Sequence, residues 1–420
     1  MGPGLGQLYN GELAAGIIVG LVLVLAGILY AVRVHTDGTK DPVFFWAAAA
    51  LIILAMVYSI GRAFRRARSA GSLYALKKYN SVWIYLAFAL MELVLFIVPG
   101  RIIENRALAN ITPWHPFRTE KAKEEYHKLY AEAAKMWPVA AEDRVVETSW
   151  GRTRVRVSGP ADGPPLVLLH GAGATSLMWA PNIAALSVTY RTYAPDNIYD
   201  LGLSVFTRRL KKPDDFVGWL DELFDALKLG DHINLVGQSY GGWIAGQYLV
   251  RRPNRLDTVI MLAPAMTVAP FRWGFFWHGI LSTLPFRRFD RDMMYWLLAD
   301  LAKKDEAGRK LVEMYVDELY GAQRFFKPKS LVPPTLLSDG ELEGIMVPTL
   351  FMVGENEKIF SPEKALERLR SVAPRIRTEL VPGAGHDLTV VQADLVNAKI
   401  LEFLKDNGWQ FLLSRDRESA

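Results

Sequence analysis

Five residues, Gly237-Gln238-Ser239-Tyr240-Gly241, leave this chain few folds to choose from. An apolar run, 233–236, precedes them, and a helix-forming stretch, 242–250, follows. A strand that passes at once into a helix must turn a sharp, strained corner, and the positions flanking that corner must lack bulk. Gly237 and Gly241 meet the demand. Such a corner lifts the Ser239 hydroxyl to the end of a strand and aims a helix N-terminus at it, which favours negative charge as it develops. The G-x-S-x-G spacing in a strand–turn–helix setting therefore marks Ser239 as a candidate nucleophile.

The surrounding sequence reads as an α/β alternation. Residues 145–150 and 153–157 alternate around Gly151 and predict a hairpin. Leu166, Val167, Leu168 and Leu169 form a run apolar at every position, the pattern of a parallel strand buried on both faces. His170-Gly171-Ala172-Gly173 follows directly. Acyl transfer needs two backbone N–H groups beside the carbonyl oxygen, and a Gly-rich loop leaving a strand can offer one. Ala172 is assigned that role and Tyr240, the residue after Ser239, the other; His170 reads as fixing the loop. A strand ends at Tyr193-Ala194-Pro195-Asp196, Asp200, Gly202 and Ser204 make a polar turn, 216–227 is helical by period, and 259–263 is another buried strand. Alternation of this kind predicts a doubly wound, mostly parallel sheet.

Residues from about 264 to 340 break the pattern; they read as helical, rich in aromatics, and placed where a cap over the site would be carried. Most of the aromatics are expected to form the core of that cap, and some to line an apolar pocket. Arg272, Arg287, Arg288 and Arg291 are candidates for contact with lipid headgroups. Sheet pattern resumes at 348–353 and leads to Gly354-Glu355-Asn356-Glu357. A carboxylate at a strand end can accept from a histidine and fix its tautomer; Glu357 is the choice and Glu355 the rival. A last strand, 378–381, runs into Pro382-Gly383-Ala384-Gly385-His386, and a final helix is expected from 388 to about 405.

On these pieces (170–173, 237–241, 354–357 and 383–386) the chain from about 117 to 407 resembles the α/β-hydrolase superfamily, most closely its serine esterases and lipases. The resemblance implies Ser239 as nucleophile, His386 as base, Glu357 as orienting acid, and the N–H groups of Ala172 and Tyr240 as oxyanion hole, with Gly171, Gly237 and Gly241 shaping the loops. It departs from most members in having Glu where they carry Asp. The implied reaction is hydrolysis of carboxylic esters of apolar small molecules or lipids through an acyl-enzyme, without metal or cofactor. Serine at 239 argues against chemistry that requires an aspartyl ester. Thioester, lactone and peptide cleavage and perhydrolysis use the same residues and stay open, as does a binding or signalling protein with a vestigial site.

The resemblance does not reach the N-terminal hundred residues. Three runs there, 13–32, 43–60 and 82–98, are of about membrane-spanning length, and only the third holds a charge, Glu92. The start lacks the basic n-region of a secretory signal. Arg62, Arg65, Arg66, Arg68, Lys77 and Lys78 separate the second run from the third, which places that loop and the N-terminus in the cytoplasm. If the third run crosses, the hydrolase domain is extracytoplasmic; if it lies in the interface, the domain is cytoplasmic. The expected organisation is a membrane module (1–100) of two or three transmembrane helices, a linker with an amphipathic helix (101–140), a hydrolase domain (141–408) and a short tail (409–420). The expected location is the cell membrane, multi-pass. The net charge of +5 forms no basic stripe with interleaved aromatics, so nucleic acid is not an expected partner. With no cysteine, thiolate catalysis, disulfides and cysteine metal sites are excluded.

Overall fold

A computed structural model describes residues 116–282, 286–327 and 331–407. The membrane module, the first part of the linker and the tail lie outside the described residues. Within them, no helix is long and apolar enough to cross a membrane.

The strands are β1 (Glu142–Thr148), β2 (Gly151–Ser158), β3 (Pro165–Leu169), β4 (Arg191–Pro195), β5 (Val205–Phe206), β6 (Ile233–Gln238), β7 (Leu256–Leu262), β8 (Thr349–Gly354) and β9 (Arg377–Val381). They form one sheet in the order β1-β2-β4-β3-β6-β7-β8-β9, with β5 paired to β2. The β1–β2, β2–β4 and β2–β5 pairs are antiparallel. From β4 through β3, β6, β7 and β8 to β9, every neighbour is parallel. The sheet is thus mostly parallel, as the unbroken apolar runs predict: β3, β6, β7 and β8 are buried at every position.

Helices cover both faces. In chain order they are α1 (Glu120–Ala134), α2 (Ala180–Leu186), α3 (Pro213–Ala226), α4 (Tyr240–Arg251), α5 (Trp273–Ser282), α6 (Arg287–Leu297), α7 (Ala299–Lys304), α8 (Glu306–Phe325), α9 (Asp339–Glu343), α10 (Pro362–Val372), α11 (Leu388–Val391) and α12 (Ala393–Asn407). On one face, Trp179 at the start of α2, Ile183 within it, and Ile400, Phe403 and Leu404 of α12 pack on Leu166, Leu168, Val236, Ile260 and Leu350. Each fully buried side chain of this size contributes about 1.5–3 kcal/mol. Elsewhere α3 and α4 pack on each other, Phe216 meeting Trp243 edge to face at 5.8 Å. Pro213 starts α3, and the Asp215 carboxylate accepts the N–H groups of Lys211 and Lys212 at 2.7 and 3.1 Å.

Several expectations are corrected. The hairpin strand β2 is buried almost throughout rather than alternately, because it has neighbours along both edges and helices on both faces. The amphipathic helix before the domain ends at Ala134; it buries Ala122, Tyr126 and Tyr130 but leaves Leu129 57% exposed, and Trp137 packs from beyond its end. The C-terminal helix is broken at Gln392 into α11 and α12. The cap aromatics divide: Tyr295 and Tyr315 pack in the cap and Phe325 and Phe326 pack beside α1, but those on the outer side of α5 join no core. On α5, Trp273 is 82% and Trp277 64% exposed, and Phe276 and Ile280 lie on the same outward stripe. Of the four cap arginines, Arg287 and Arg291 donate to Glu313 at 2.7 Å while staying 39% and 49% exposed, Arg272 donates to the Glu357 carbonyl at 3.3 Å, and Arg288 lies 4.5 Å over the Phe289 ring, so their ion pairs leave surface that lipid headgroups can reach.

Candidate active site

Ser239 stands at the corner between β6 and α4 with φ 55° and ψ −114°, a conformation that costs of order 1–3 kcal/mol for a residue with a side chain. The neighbourhood enforces it. The Ser239 N–H donates to Leu262 O at 2.9 Å, and its carbonyl accepts from Trp243 N at 3.0 Å and Ala265 N at 2.9 Å. The two glycines are required by close approach. A Cβ at Gly237 would lie 2.2 Å from Gly241 O, and one at Gly241 2.2 Å from Leu169 O and 2.6 Å from His170 O. The corner is thereby pressed against the end of β3, beside the loop that leaves it.

That loop is held by His170, which is fully buried. Its Nε2 accepts from Asn197 N–H at 2.8 Å, so Nδ1 carries the proton and donates to Gly171 O at 2.8 Å. Both ring nitrogens are occupied in fixing backbone. Gly171 is packed so closely on the corner that a Cβ there would come within 2.9 Å of Gln238 Oε1 and 3.3 Å of Ser239 Cβ. Ala172 and Tyr240 line the same cavity as Ser239. Among the described residues, neither backbone N–H donates to another protein group. Two N–H groups left without a protein acceptor, on residues that line the cavity of a serine hydroxyl, are of the kind that can receive a developing oxyanion.

His386 leaves β9 on its loop and is 5% exposed. Its Nδ1 lies 2.8 Å from Glu357 Oε2. Glu357, 2% exposed, also accepts from Ile359 N–H through Oε1 at 2.7 Å, so both carboxylate oxygens are engaged and the ring is oriented with Nδ1–H toward the acid. That leaves Nε2 as the basic nitrogen, and His386 and Ser239 line one cavity of about 390 Å³. Glu355 is exposed and accepts instead from Gly383 N–H at 3.1 Å. The geometry thus brings together His386 and Glu357 and leaves Glu355 outside.

Several residues that shape the site were not singled out from the sequence. Gln238, inside the pentapeptide, donates from Nε2 to His386 O at 3.0 Å and ties the serine strand to the histidine loop. Asp387 accepts from Gly385 N–H at 3.1 Å and Leu301 N–H at 2.7 Å, which joins that loop to the cap; burial raises its pKa. The Asp200 carboxylate accepts from Gly173 N–H at 3.1 Å and steadies the loop that leaves β3. Glu318, on the cap helix α8, lines the cavity. Adjacency to a motif was the available signal for Gln238 and Asp387; none existed for Glu318. The remaining walls are apolar and include Phe271, Phe275, Met293, Leu297 and Leu319.

Comparison with known proteins agrees with this architecture. The chain is 33% identical over 279 residues to carboxylesterase YbfK of Bacillus subtilis, covering 66% of this chain and 93% of that one. It is 34% identical over 286 residues to the carboxylesterase nap of the same organism, covering 66% and 91%. The crystal structure of the Bacillus subtilis naproxen esterase superposes with a TM-score of 0.61 at 33% identity, over 66% of this chain and 96% of that chain. That of carboxylesterase CesB (YbfK) gives a TM-score of 0.61 at 32% identity, over 68% and 98%. The sequence model of the alpha/beta hydrolase family matches residues 166–399, the span that carries the serine corner, the paired carboxylate and the histidine. With that match, and with the order of strands and the corner at Ser239, the chain belongs to the alpha/beta hydrolase family.

Proposed function

We propose that this protein is a membrane-tethered serine carboxylesterase acting on esters with apolar acyl or alcohol groups. In this reading, His386 Nε2 takes the proton from Ser239 Oγ as the serine attacks the ester carbonyl. The Ala172 and Tyr240 N–H groups hold the oxyanion, and Glu357 stabilises the imidazolium. The imidazolium then protonates the leaving alcohol, and water activated by the same histidine releases the acid from the acyl-enzyme. The observation that carries the reading is the buried 2.8 Å pair of Glu357 with His386, a histidine that lines the same cavity as a serine held at positive φ. The names of the two Bacillus subtilis relatives, both carboxylesterases, support the ester as substrate class. The apolar cavity walls support an uncharged group beside the carbonyl.

The membrane tether rests on the three apolar runs in the first hundred residues and the arginine-rich loop before the third. The exposed stripe of Trp273, Trp277 and Ile280 suits a protein that works close to lipid. The extracytoplasmic placement of the hydrolase domain follows if residues 82–98 cross.

The test is turnover of p-nitrophenyl butyrate with labelling by a fluorophosphonate probe. Both are expected in the wild type and lost in a folded Ser239→Ala variant; hydrolysis unchanged in that variant refutes the assignment. Carbonate-resistant sedimentation with membranes tests the tether, and protease access to the C-terminus in intact cells tests the side.

A further inference from the structure

Glu318 is out of place by every rule that governs the rest of its helix. Along α8, Leu311, Tyr315, Glu318, Ala322 and Phe325 recur at spacings of four and three, so they share one face. Every other member of that row is apolar or aromatic. Ala322 is buried against Phe117 and Tyr126, and Tyr315 lines the catalytic cavity. A carboxyl therefore occupies a position that the helix period gives to an apolar group. Glu313 shows what an ordinary carboxylate of the same helix does: it is met by Arg287, Arg291 and Tyr295. Among the described residues, Glu318 has no hydrogen bond and no ion pair. It faces the cavity that holds Ser239 and His386.

Its surroundings are acidic. Asp196 and Asp200, from the segment after β4, both act on it, and Tyr126 of α1 and Tyr315 of α8 are close enough to be affected in turn. Among the described residues, Arg154 of β2 is a cation near these aspartates, and it is committed: it lies 3.9 Å from Asp196, bridges to Asp143 and donates to Tyr130. Across the cavity, His386 is held by Glu357, and Asp387 by the backbone of Leu301 and Gly385. Burial, then the two aspartates, push the Glu318 carboxyl up to about 7. A partly buried acid in a cluster of like charge, with no partner among the described residues, is retained against a cost, and a ligand that supplies the missing positive charge removes that cost.

From this geometry we infer that Glu318 forms a subsite for a protonated amine, so that the enzyme prefers esters carrying an ammonium group at some distance from the scissile carbonyl. The apolar walls take the intervening methylenes, Ser239 meets the carbonyl, and the carboxylate on α8 meets the amine. Esters with a distal carboxylate are disfavoured by the same charge. The inference rests on the hydrolase reading above and is tested separately from it.

The experiment compares kcat/KM for p-nitrophenyl 6-aminohexanoate with that for p-nitrophenyl heptanoate, in which a methyl group replaces the ammonium. The quantity read is the ratio of the two, in wild type and in Glu318→Gln. The glutamine keeps the shape and removes the charge, and is expected to lower the ratio by about tenfold. In the wild type the ratio is expected to rise by about tenfold between pH 6 and pH 8, as the carboxyl ionises while the amine stays protonated. A ratio within twofold of wild type in the folded variant overturns the subsite, whatever the pH series shows. If the variant does not fold, a flat wild-type pH series overturns it. Heptanoate turnover that survives in Ser239→Ala would instead defeat the hydrolase reading, so the two failures are told apart.

Discussion

Replacing Glu357 by glutamine separates the two carboxylates that compete for the role behind the histidine. In the wild type Oε2 accepts from His386 Nδ1 at 2.8 Å and Oε1 from Ile359 N–H at 2.7 Å. Both bonds need acceptors, and an amide has only one oxygen. If the oxygen stays with Ile359, the amide NH2 faces the ring, and the imidazole must turn Nδ1 into an acceptor. The proton then sits on Nε2 and the base is lost. If the oxygen faces the ring instead, a buried N–H meets another N–H at Ile359, and the negative charge that stabilises imidazolium is gone in either case. A wrong tautomer at such a position costs on the order of 10³- to 10⁴-fold in kcat. That range corresponds to about 4 to 5.5 kcal/mol of transition-state stabilisation. Glu355 is exposed and accepts only a 3.1 Å bond from Gly383 N–H, so Glu355→Gln should change kcat by less than about threefold and stability by less than about 1 kcal/mol. The assay is kcat and KM for p-nitrophenyl butyrate, with urea denaturation to show that each variant is folded. A Glu357→Gln variant within tenfold of wild type, or a Glu355→Gln variant equally crippled, refutes the reasoning.

Three other perturbations follow from the same contacts. Gly241→Ala drives a Cβ into two carbonyl oxygens that belong to backbone, at 2.2 and 2.6 Å, and should cost about 3 kcal/mol or prevent folding, read as a lower urea midpoint; a stability equal to wild type refutes the close approach. Glu313, held down to about 2 by Arg291, Arg287 and Tyr295, contributes stability above the normal carboxylate range that is lost as pH falls from about 4.5 toward 2. Glu313→Gln should flatten that part of the acid melting profile, and an unchanged profile counts against the cluster. Glu318 works in the opposite sense: its folded pKa is raised, so the fold is favoured while it is protonated and loses stability as pH rises from about 4.5 through about 7. The melting temperature should fall over that interval in wild type and less in Glu318→Gln; equal slopes would show that the carboxyl ionises freely.

Much of the site is local chemistry and could be read without coordinates. The serine corner needs glycines at 237 and 241 because two backbone segments cross within touching distance there, and that demand appears as residue type. His386 stands on a Gly-rich loop directly after the last strand, which again is a short-range pattern. Sequence favours Glu357 over Glu355, and the physical ground for that choice appears only in the fold. The two stand two residues apart, and the difference arises in the turn after β8. There Glu355 N–H still bonds Val381 O at the sheet edge, while Glu357 N–H turns back to Gly354 O and swings its side chain inward. The outward stripe of α5 was misread as cap core because Trp273 and Trp277 have the same apolarity whether they face protein or not.

Apolar period, glycine placement and the order serine, acid, histidine were sufficient to specify a parallel sheet, the corner at Ser239 and the class of chemistry, because each depends on residues near one another along the chain. Which carboxylate meets the imidazole, how Gln238 links two loops, and that Glu318 lines the cavity of Ser239 with no partner among the described residues were decided by packing between segments far apart in the chain. Residue types constrain what a side chain can bond to; only the folded arrangement selects the partner.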